Sequence, residues 1–296
     1  VQSDGGRNFG TMRNAWVHLN LDHPMAAWHA YRGVIKTPHR VKRELLSPWL
    51  VDFLHASTRQ LREQRFQREL LLEKTRARVS PDANSRLTSF FAFDDYDIAI
   101  DRARAWGWRA ENLVEIRIQN GSTLSRHDSQ WIDEMGASPA IQQAESYARG
   151  DAFNSTPKWE LLVDGEARIV GTAVRLRALH EIESRWPQSL WLLEQARIAA
   201  LLGNDLGYVG GFAHLVDNDL IRIRWITVAE ALKDPGYAAR VEQFFKDTPP
   251  TEILGRAFRR DGQPNDIVLP DWSPIDFDVP ASIWTSLFGP PRNSRS

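Results

Sequence analysis

Apolar positions along this chain change period several times, and the changes mark its elements. Over residues 42–79 they recur at three-to-four spacing, first Leu45, Leu46, Trp49, Leu50, Phe53 and Leu54, then Leu61, Phe66, Leu70 and Leu71, which predicts helix. Pro48 suits the first turn of that helix, with Ser47 as its cap. Residues 30–35 form a short apolar run around an arginine and read as a strand, as do residues 87–93 after the turn-rich loop 80–85. Asp94 and Asp95 are placed to cap a helix that reaches about Trp106 and stops at Gly107. Leu113–Ile118 alternates apolar and polar positions, the mark of a half-buried strand, before an Asn120-Gly121 turn.

Residues 139–150 predict a short helix, and residues 159–163 with 167–175 a hairpin around Asp164-Gly165. A helix over residues 177–202 follows, then a glycine-rich stretch, an alternating strand at 220–225, a helix at 228–233 and a proline-punctuated tail. Short strands mixed with segregated helices argue for an α+β fold, not a regular βαβ series. A boundary falls near residue 176, with residues 1–11 as a flexible leader, 12–176 as one domain and 177–296 as a C-terminal α+β extension.

Composition narrows the function classes. The 296 residues are 42% apolar and 25% charged with a formal net charge of -1, so no overall charge argues for nucleic acid. No apolar run approaches the roughly 18 residues a membrane span requires, and a soluble chain is expected, with secreted effector and bacterial cytoplasm both open. The absence of cysteine excludes disulfides, zinc-thiolate sites and a cysteine nucleophile. Eight histidines show no ligand spacing, so no metal is expected, and Gly207–Gly211 lacks the lysine or preceding strand of a phosphate loop. The arginines from Arg59 to Arg78 are either a solvated helix face or a surface for a phosphate-bearing acceptor.

Three short motifs carry candidate chemistry. They are Tyr31-Arg32-Gly33, the Thr88-Ser89-Phe90-Phe91 stretch inside residues 85–93, and Trp159-Glu160-Leu161-Leu162. In that order they resemble the arginine–serine–glutamate signature of mono-ADP-ribosyltransferases of the bacterial toxin and effector type, over residues 28–175. The resemblance implies a split β-sheet core with a helical lobe, NAD as co-substrate, no metal, and transfer of ADP-ribose to a protein or nucleic acid. It implies Glu160, Arg32 and Ser89 as catalytic residues, and Arg32, Tyr31, Gly33, Thr88, Ser89, Phe90 and Phe91 as the NAD-binding set. Residues 177–296 would then recognise the target or cover the cleft.

The chemistry of breaking the nicotinamide–ribose bond suits these residue types. Positive charge develops on the ribose, which a carboxylate such as Glu160 stabilises. A guanidinium offers a planar fork for phosphates, hydroxyls orient the charged pair, and an aromatic ring stacks on nicotinamide. Lys158 stands where arginine-modifying relatives carry a second acid, which speaks against arginine as the acceptor. His29-Ala30-Tyr31 is an alternative first motif, and Glu115 and Glu166 are fallback carboxylates. Each residue also has a plainer role: Arg32 paired with a carboxylate, the phenylalanines in the core, Glu160 on a strand's outer face. Two further readings stand beside transfer. One is an NAD glycohydrolase, with water as acceptor; the other is a non-catalytic binding protein that uses the cleft or some of the twelve tryptophans, its oligomeric state open.

Overall fold

The computed structural model describes residues 12–38, 45–55, 57–136, 140–217, 219–228, 230–247 and 275–283. The expected leader 1–11 and most of the proline-punctuated tail lie outside the described residues. In chain order the elements are β1 (Arg13–His18), α1 (Pro24–Arg32), β2 (Val34–Lys36), β3 (Leu45–Leu46), α2 (Pro48–His55), α3 (Arg59–Val79), β4 (Phe90–Ala92) and α4 (Tyr96–Ala105). There follow β5 (Leu113–Ile118), β6 (Thr123–Asp128), α5 (Gln130–Met135), α6 (Ile141–Arg149), β7 (Trp159–Asp164), β8 (Glu166–Ile169), α7 (Ala173–Arg185) and α8 (Leu190–Leu201). The last are β9 (Tyr208–Asp217), β10 (Leu220–Val228), α9 (Tyr237–Asp247) and β11 (Phe277–Pro280).

Strands assemble into three antiparallel sheets with orders β1-β5-β8-β2, β4-β7-β6 and β11-β10-β9-β3. The first two are stitched together where Trp16 and Phe93 exchange backbone hydrogen bonds of 2.7 and 2.8 Å. Asp164-Gly165 is therefore not the turn of a hairpin. It is a corner, because β7 belongs to one of these sheets and β8 to the other. Gly165 sits at φ 154°, and a Cβ there would stand 2.1 Å from Ser122 Oγ, so the corner needs a residue without a side chain.

Several boundaries move from their expected places for identifiable reasons. Residues 30–32 are helical, not extended. Pro24 opens α1, His23 Nδ1 accepts the Met25 N–H at 3.2 Å, and Gly33 closes the helix at φ 75° with its N–H on the carbonyls of His29 and Ala30. The strand expected there begins only at Val34. The expected helix 42–79 divides between His55 and Arg59, where Thr58 caps α3. The Ser47 hydroxyl ahead of α2 finds no partner among the described residues, although the Ser47 carbonyl takes the Val51 N–H. The expected helix 177–202 likewise divides at Trp186-Pro187 into α7 and α8. Gly210 and Gly211 lie within β9, and a Cβ on Gly211 would stand 2.4 Å from Val51 Cγ2, so the glycines let that strand approach α2.

The main core runs from Ala15 to Ile283 as one connected cluster, with Trp28, Phe66, Phe90 and Leu193 among its fully buried members. Elements on both sides of residue 176 contribute to it. α1 packs on α7 and α8, and β3 pairs with β9. Burial of each such large side chain stabilises the fold by about 1.5–3 kcal/mol, so the C-terminal third shares its stability with the rest.

Candidate functional site

Glu160 lies near the start of β7, the central strand of its sheet, opposite His127 of β6. It is 3% exposed and does not face bulk solvent. Its Oε1 accepts from Arg86 Nη1 at 2.8 Å and from the Tyr147 hydroxyl at 2.7 Å, while Oε2 takes no hydrogen bond among the described residues. Arg86 Nη1 also donates to the Tyr147 oxygen at 2.8 Å, and Arg86 Nε donates to Glu69 Oε2 of α3 at 2.7 Å. One guanidinium thus joins two buried carboxylates and a phenol. Burial works against its charge, but Glu69, Tyr147 and Glu160 outweigh that cost and hold it firmly protonated.

Local sequence explains how Arg86 arrives there. Asn84 ties the preceding turn to the sheet, donating from Nδ2 to the carbonyls of Thr123 and Leu162 at 2.8 and 2.9 Å. Ser85 Oγ donates to Glu73 at 2.6 Å and accepts the Leu87 N–H at 3.1 Å. Tyr147 is fixed from behind by His127, whose ring stacks on it at 4.7 Å. Burial lowers the His127 pKa to about 4, so the ring is neutral at pH 7. Its Nδ1 lies 2.7 Å from the Tyr147 carbonyl, which only accepts; Nδ1 therefore carries the proton, and Nε2 accepts from Ser125 Oγ at 2.8 Å.

Glu160 and Arg86 line a cavity of about 590 Å³. Aromatic rings form much of its wall: Trp49, Phe53, Phe91, Phe93, Trp106 and Trp108. Arg86 stands over the Phe91 ring at 4.3 Å, Arg65 over Phe53 at 4.3 Å, and His18 stacks on Trp108 at 4.5 Å. Burial lowers the His18 pKa to about 4. Arg65, Arg68 and Arg109 add positive charge, and Arg68 Nε is buried without a hydrogen-bond partner among the described residues. Asp52 of α2 and Asp133 of α5 are the other acids on the wall. A volume of this size, apolar on its faces with a few converging polar groups, is characteristic of a small-molecule site.

The expected site residues divide between places. Glu160 and Phe91 line the cavity. Phe90 is fully buried beside Trp49, with ring centroids 5.6 Å apart. Ser89 is fully buried and its hydroxyl has no partner among the described residues, while Thr88 lies in the turn with its N–H 3.3 Å from the Ser85 carbonyl. Tyr31, Arg32 and Gly33 lie elsewhere. Tyr31 donates to Glu194 of α8, and Arg32 is buried in an ion pair with Asp205, which also meets Lys36 Nζ at 3.1 Å. Helical residues 30–32 point that arginine toward the C-terminal third, away from the cavity that holds Glu160.

The alternative His29 is buried, with Nε2 3.1 Å from the Val209 carbonyl, and burial followed by the nearby Arg32 lowers its pKa to about 3. Glu115 accepts from Asn14 at 2.7 Å. Glu166 pairs with Arg168 at 2.9 Å and shares a separate polar cleft of about 170 Å³ with Arg32. Other basic side chains of α3 are engaged with protein groups: Arg62 on the backbone carbonyls of Leu54, His55 and Ser57, Arg76 on Glu73, and Arg78 on Glu145 of α6.

Sequence reasoning did not assign Glu69, Arg86, Asp52 or the Trp106–Trp108 pair to a site. Arg86 had a signal, since it stands between Asn84-Ser85 and the aromatic stripe 90–93. Among the described residues no group of histidines and acids is placed to hold a metal ion, and no helix is long and apolar enough to cross a membrane.

No curated protein matches the chain. A family model does match, the one described as a protein of unknown function, DUF2441, over residues 39–196. That span holds Asp52, Glu69, Arg86, Tyr147 and Glu160 and crosses the expected boundary at 176. With more than half of its length under that model, including the whole Arg86 network, the chain belongs to the DUF2441 family.

Proposed function

We propose that the protein transfers ADP-ribose from NAD to a macromolecular acceptor, using the cavity that Glu160 and Arg86 line. The observation that carries this reading is a buried glutamate at the wall of a cavity faced with aromatic rings and arginines. NAD needs flat surfaces for nicotinamide and adenine, positive charge for its diphosphate, and a carboxylate beside the ribose it releases. Trp49, Phe91, Trp106 and Trp108 supply the surfaces and Arg65, Arg68 and Arg109 the charge, with the unpartnered Arg68 Nε an available donor. The split-sheet core expected for an ADP-ribosyltransferase would correspond to the two sheets stitched at Trp16 and Phe93.

In this reading Glu160 Oε2 faces the ribose as positive charge develops at its anomeric carbon. Arg86 and Tyr147 hold the carboxylate through Oε1. Arg86 therefore takes the place expected for Arg32 as the arginine working beside Glu160, and Phe91 stays in the ring-stacking set.

One observation favours a second reading. Glu160 is already met by two donors, as a structural carboxylate would be, and a non-catalytic binding protein would keep that arrangement. Purified protein and its Glu160→Gln variant, incubated with adenine-labelled NAD and with separate protein and nucleic-acid extracts, separate the readings. Transfer that falls at least 10²-fold in the variant supports the enzyme, an effect of the size seen when one transition-state contact is lost. Nicotinamide release without label on any macromolecule selects the glycohydrolase. No turnover and no NAD binding selects the binding protein.

A further inference from the structure

Among the carboxyl groups on the cavity wall besides Glu160, Asp133 is paired with Arg102, while Asp52 has surroundings opposite to those of Glu160. Asp52, on α2, lines the same wall, yet among the described residues no cation lies within ion-pair distance of it apart from His23, whose Nδ1 is 3.6 Å from Asp52 Oδ1. That histidine does not act as a cation. Its Nδ1 already accepts the Met25 N–H at 3.2 Å as the cap of α1, so the nitrogen presents a lone pair, and burial lowers its pKa to about 3. Asp52 Oδ1 is buried with no hydrogen-bond partner among the described residues. A carboxylate oxygen facing a lone pair without a donor is poorly stabilised when charged and gains from binding a proton.

The side chain is not sealed away. It is 22% exposed, and it opens on the cavity that it lines. Burial raises its pKa to about 7, with an opposing hydrogen bond from Asn20. Neighbouring elements do not reverse this. α1 offers His23 and His29, both held neutral by burial, and β1 offers His18, likewise neutral. α2 itself carries His55, whose pKa burial lowers; α3 places Arg65 and Arg68 on the cavity wall; β9 contributes the buried Tyr208. Of the three carboxyl groups on this wall, Glu160 is clamped by Arg86 and Asp133 is paired with Arg102, while Asp52 has no counter-ion among the described residues, the pattern by which acid–base roles are divided.

We propose that Asp52 is the general base of this cavity, taking the proton from the acceptor's hydroxyl or amine as that atom attacks the ribose. The step rests on the ADP-ribosyl transfer reading above. The nucleophile's lone pair forms the new bond to the anomeric carbon, the nicotinamide–ribose bond breaks with its electrons leaving on nicotinamide, and the proton lost by the nucleophile ends on Asp52. Glu160 stabilises the charge between the two events and exchanges no proton. Acceptors whose attacking group keeps its proton near neutral pH, alcohols and amines of macromolecules, are those that need such a base.

The test measures transfer and nicotinamide release from pH 5.5 to 9 for the wild-type chain, Asp52→Asn and Asp52→Glu, with difference infrared titration of the carboxyl band alongside. Wild-type transfer is expected to rise through a step near pH 7. Asp52→Asn should remove that step, lower kcat for transfer by about 10²–10⁴-fold with KM for NAD little changed, and abolish a carboxyl band titrating near pH 7. Asp52→Glu should restore part of the step. An Asn variant with the wild-type profile and rate overturns the general base and leaves the transferase reading standing. A wild-type chain that turns over no NAD at any pH overturns both. The Asn variant replaces the carboxyl by an amide of the same shape, and its thermal midpoint checks that it folds.

Discussion

Replacing Arg86 by methionine would leave the Glu69 and Glu160 carboxylates buried together without their shared cation. The side chains of Arg86, Glu69 and Glu160 are 9%, 0% and 4% exposed, so water compensates little for the loss. Breaking a buried ion pair by removing one partner costs about 3–5 kcal/mol, because the remaining charge is stranded in a poorly polarisable interior. Here two charges are stranded, while Arg68 stays 3.7 Å from Glu69 and blunts part of the effect. A loss of about 3–5 kcal/mol at pH 7.5 is therefore expected, a large share of the roughly 5–15 kcal/mol that stabilises an ordinary domain. Urea denaturation followed by tryptophan fluorescence measures it.

The cause assigned to this loss makes a second, sharper expectation. If stranded charge is responsible, the triple variant Arg86→Met with Glu69→Gln and Glu160→Gln should recover most of the stability, because the apolar replacement no longer faces two anions. The single variant should also regain stability relative to wild type as pH falls and protons take the place of Arg86. A single variant within about 1 kcal/mol of wild type, or a triple variant as unstable as the single one, would refute the electrostatic account of the network.

Two further outcomes follow from the packing. Gly165→Ala should destabilise the fold by about 1–3 kcal/mol or more, since its Cβ would overlap the Ser122 side chain where the chain steps between sheets; an unchanged thermal midpoint would remove the corner argument. The buried His127 should make the fold acid-sensitive above the carboxylate range. Its folded pKa of about 4 lies below the ordinary 6.5, so its contribution is fully present above pH 6.5 and is lost as the pH falls toward 4, by up to about 3 kcal/mol. Urea midpoints at pH 7.5 and 5 for wild type and His127→Gln should show a smaller drop in the variant, and equal drops would contradict it.

What could be read from the sequence was what neighbours along the chain decide. β5 stands at the residues its alternation marks, and α4 starts where Asp95 accepts the Ile98 N–H at 2.9 Å. Division of the long helical stretches was less visible, because apolar spacing continues through Ser57-Thr58 and across Trp186 while the chain changes direction. The strand expected at residues 30–35 failed for a similar reason. A short aromatic run fits either period, and the deciding features, the His23 cap and the left-handed Gly33, lie at its edges.

The site tests this distinction most severely, since Arg32 and Arg86 look alike by local inspection: each is a lone arginine near aromatic residues, Tyr31 next to the one and Phe90 four positions after the other. What separates them is chain path. Asn84 fastens one turn to the carbonyls of Thr123 and Leu162, and that fastening delivers Arg86 to Glu160; α1 carries Arg32 to Asp205, which is 173 positions away. Glu160 stands out in the sequence as a lone acid opening an apolar strand, and the fold places it on the cavity wall. Its partners Arg86 and Tyr147 come from a turn and from α6, the second carboxylate on Arg86 comes from α3, and no spacing rule joins residues 69, 86 and 147 to residue 160. The same holds for Asp52, whose chemistry depends on which face of His23 an α1 backbone N–H occupies. A carboxylate can announce itself in a sequence, but whether it is clamped as an ion or left to take a proton is decided by contacts between distant segments.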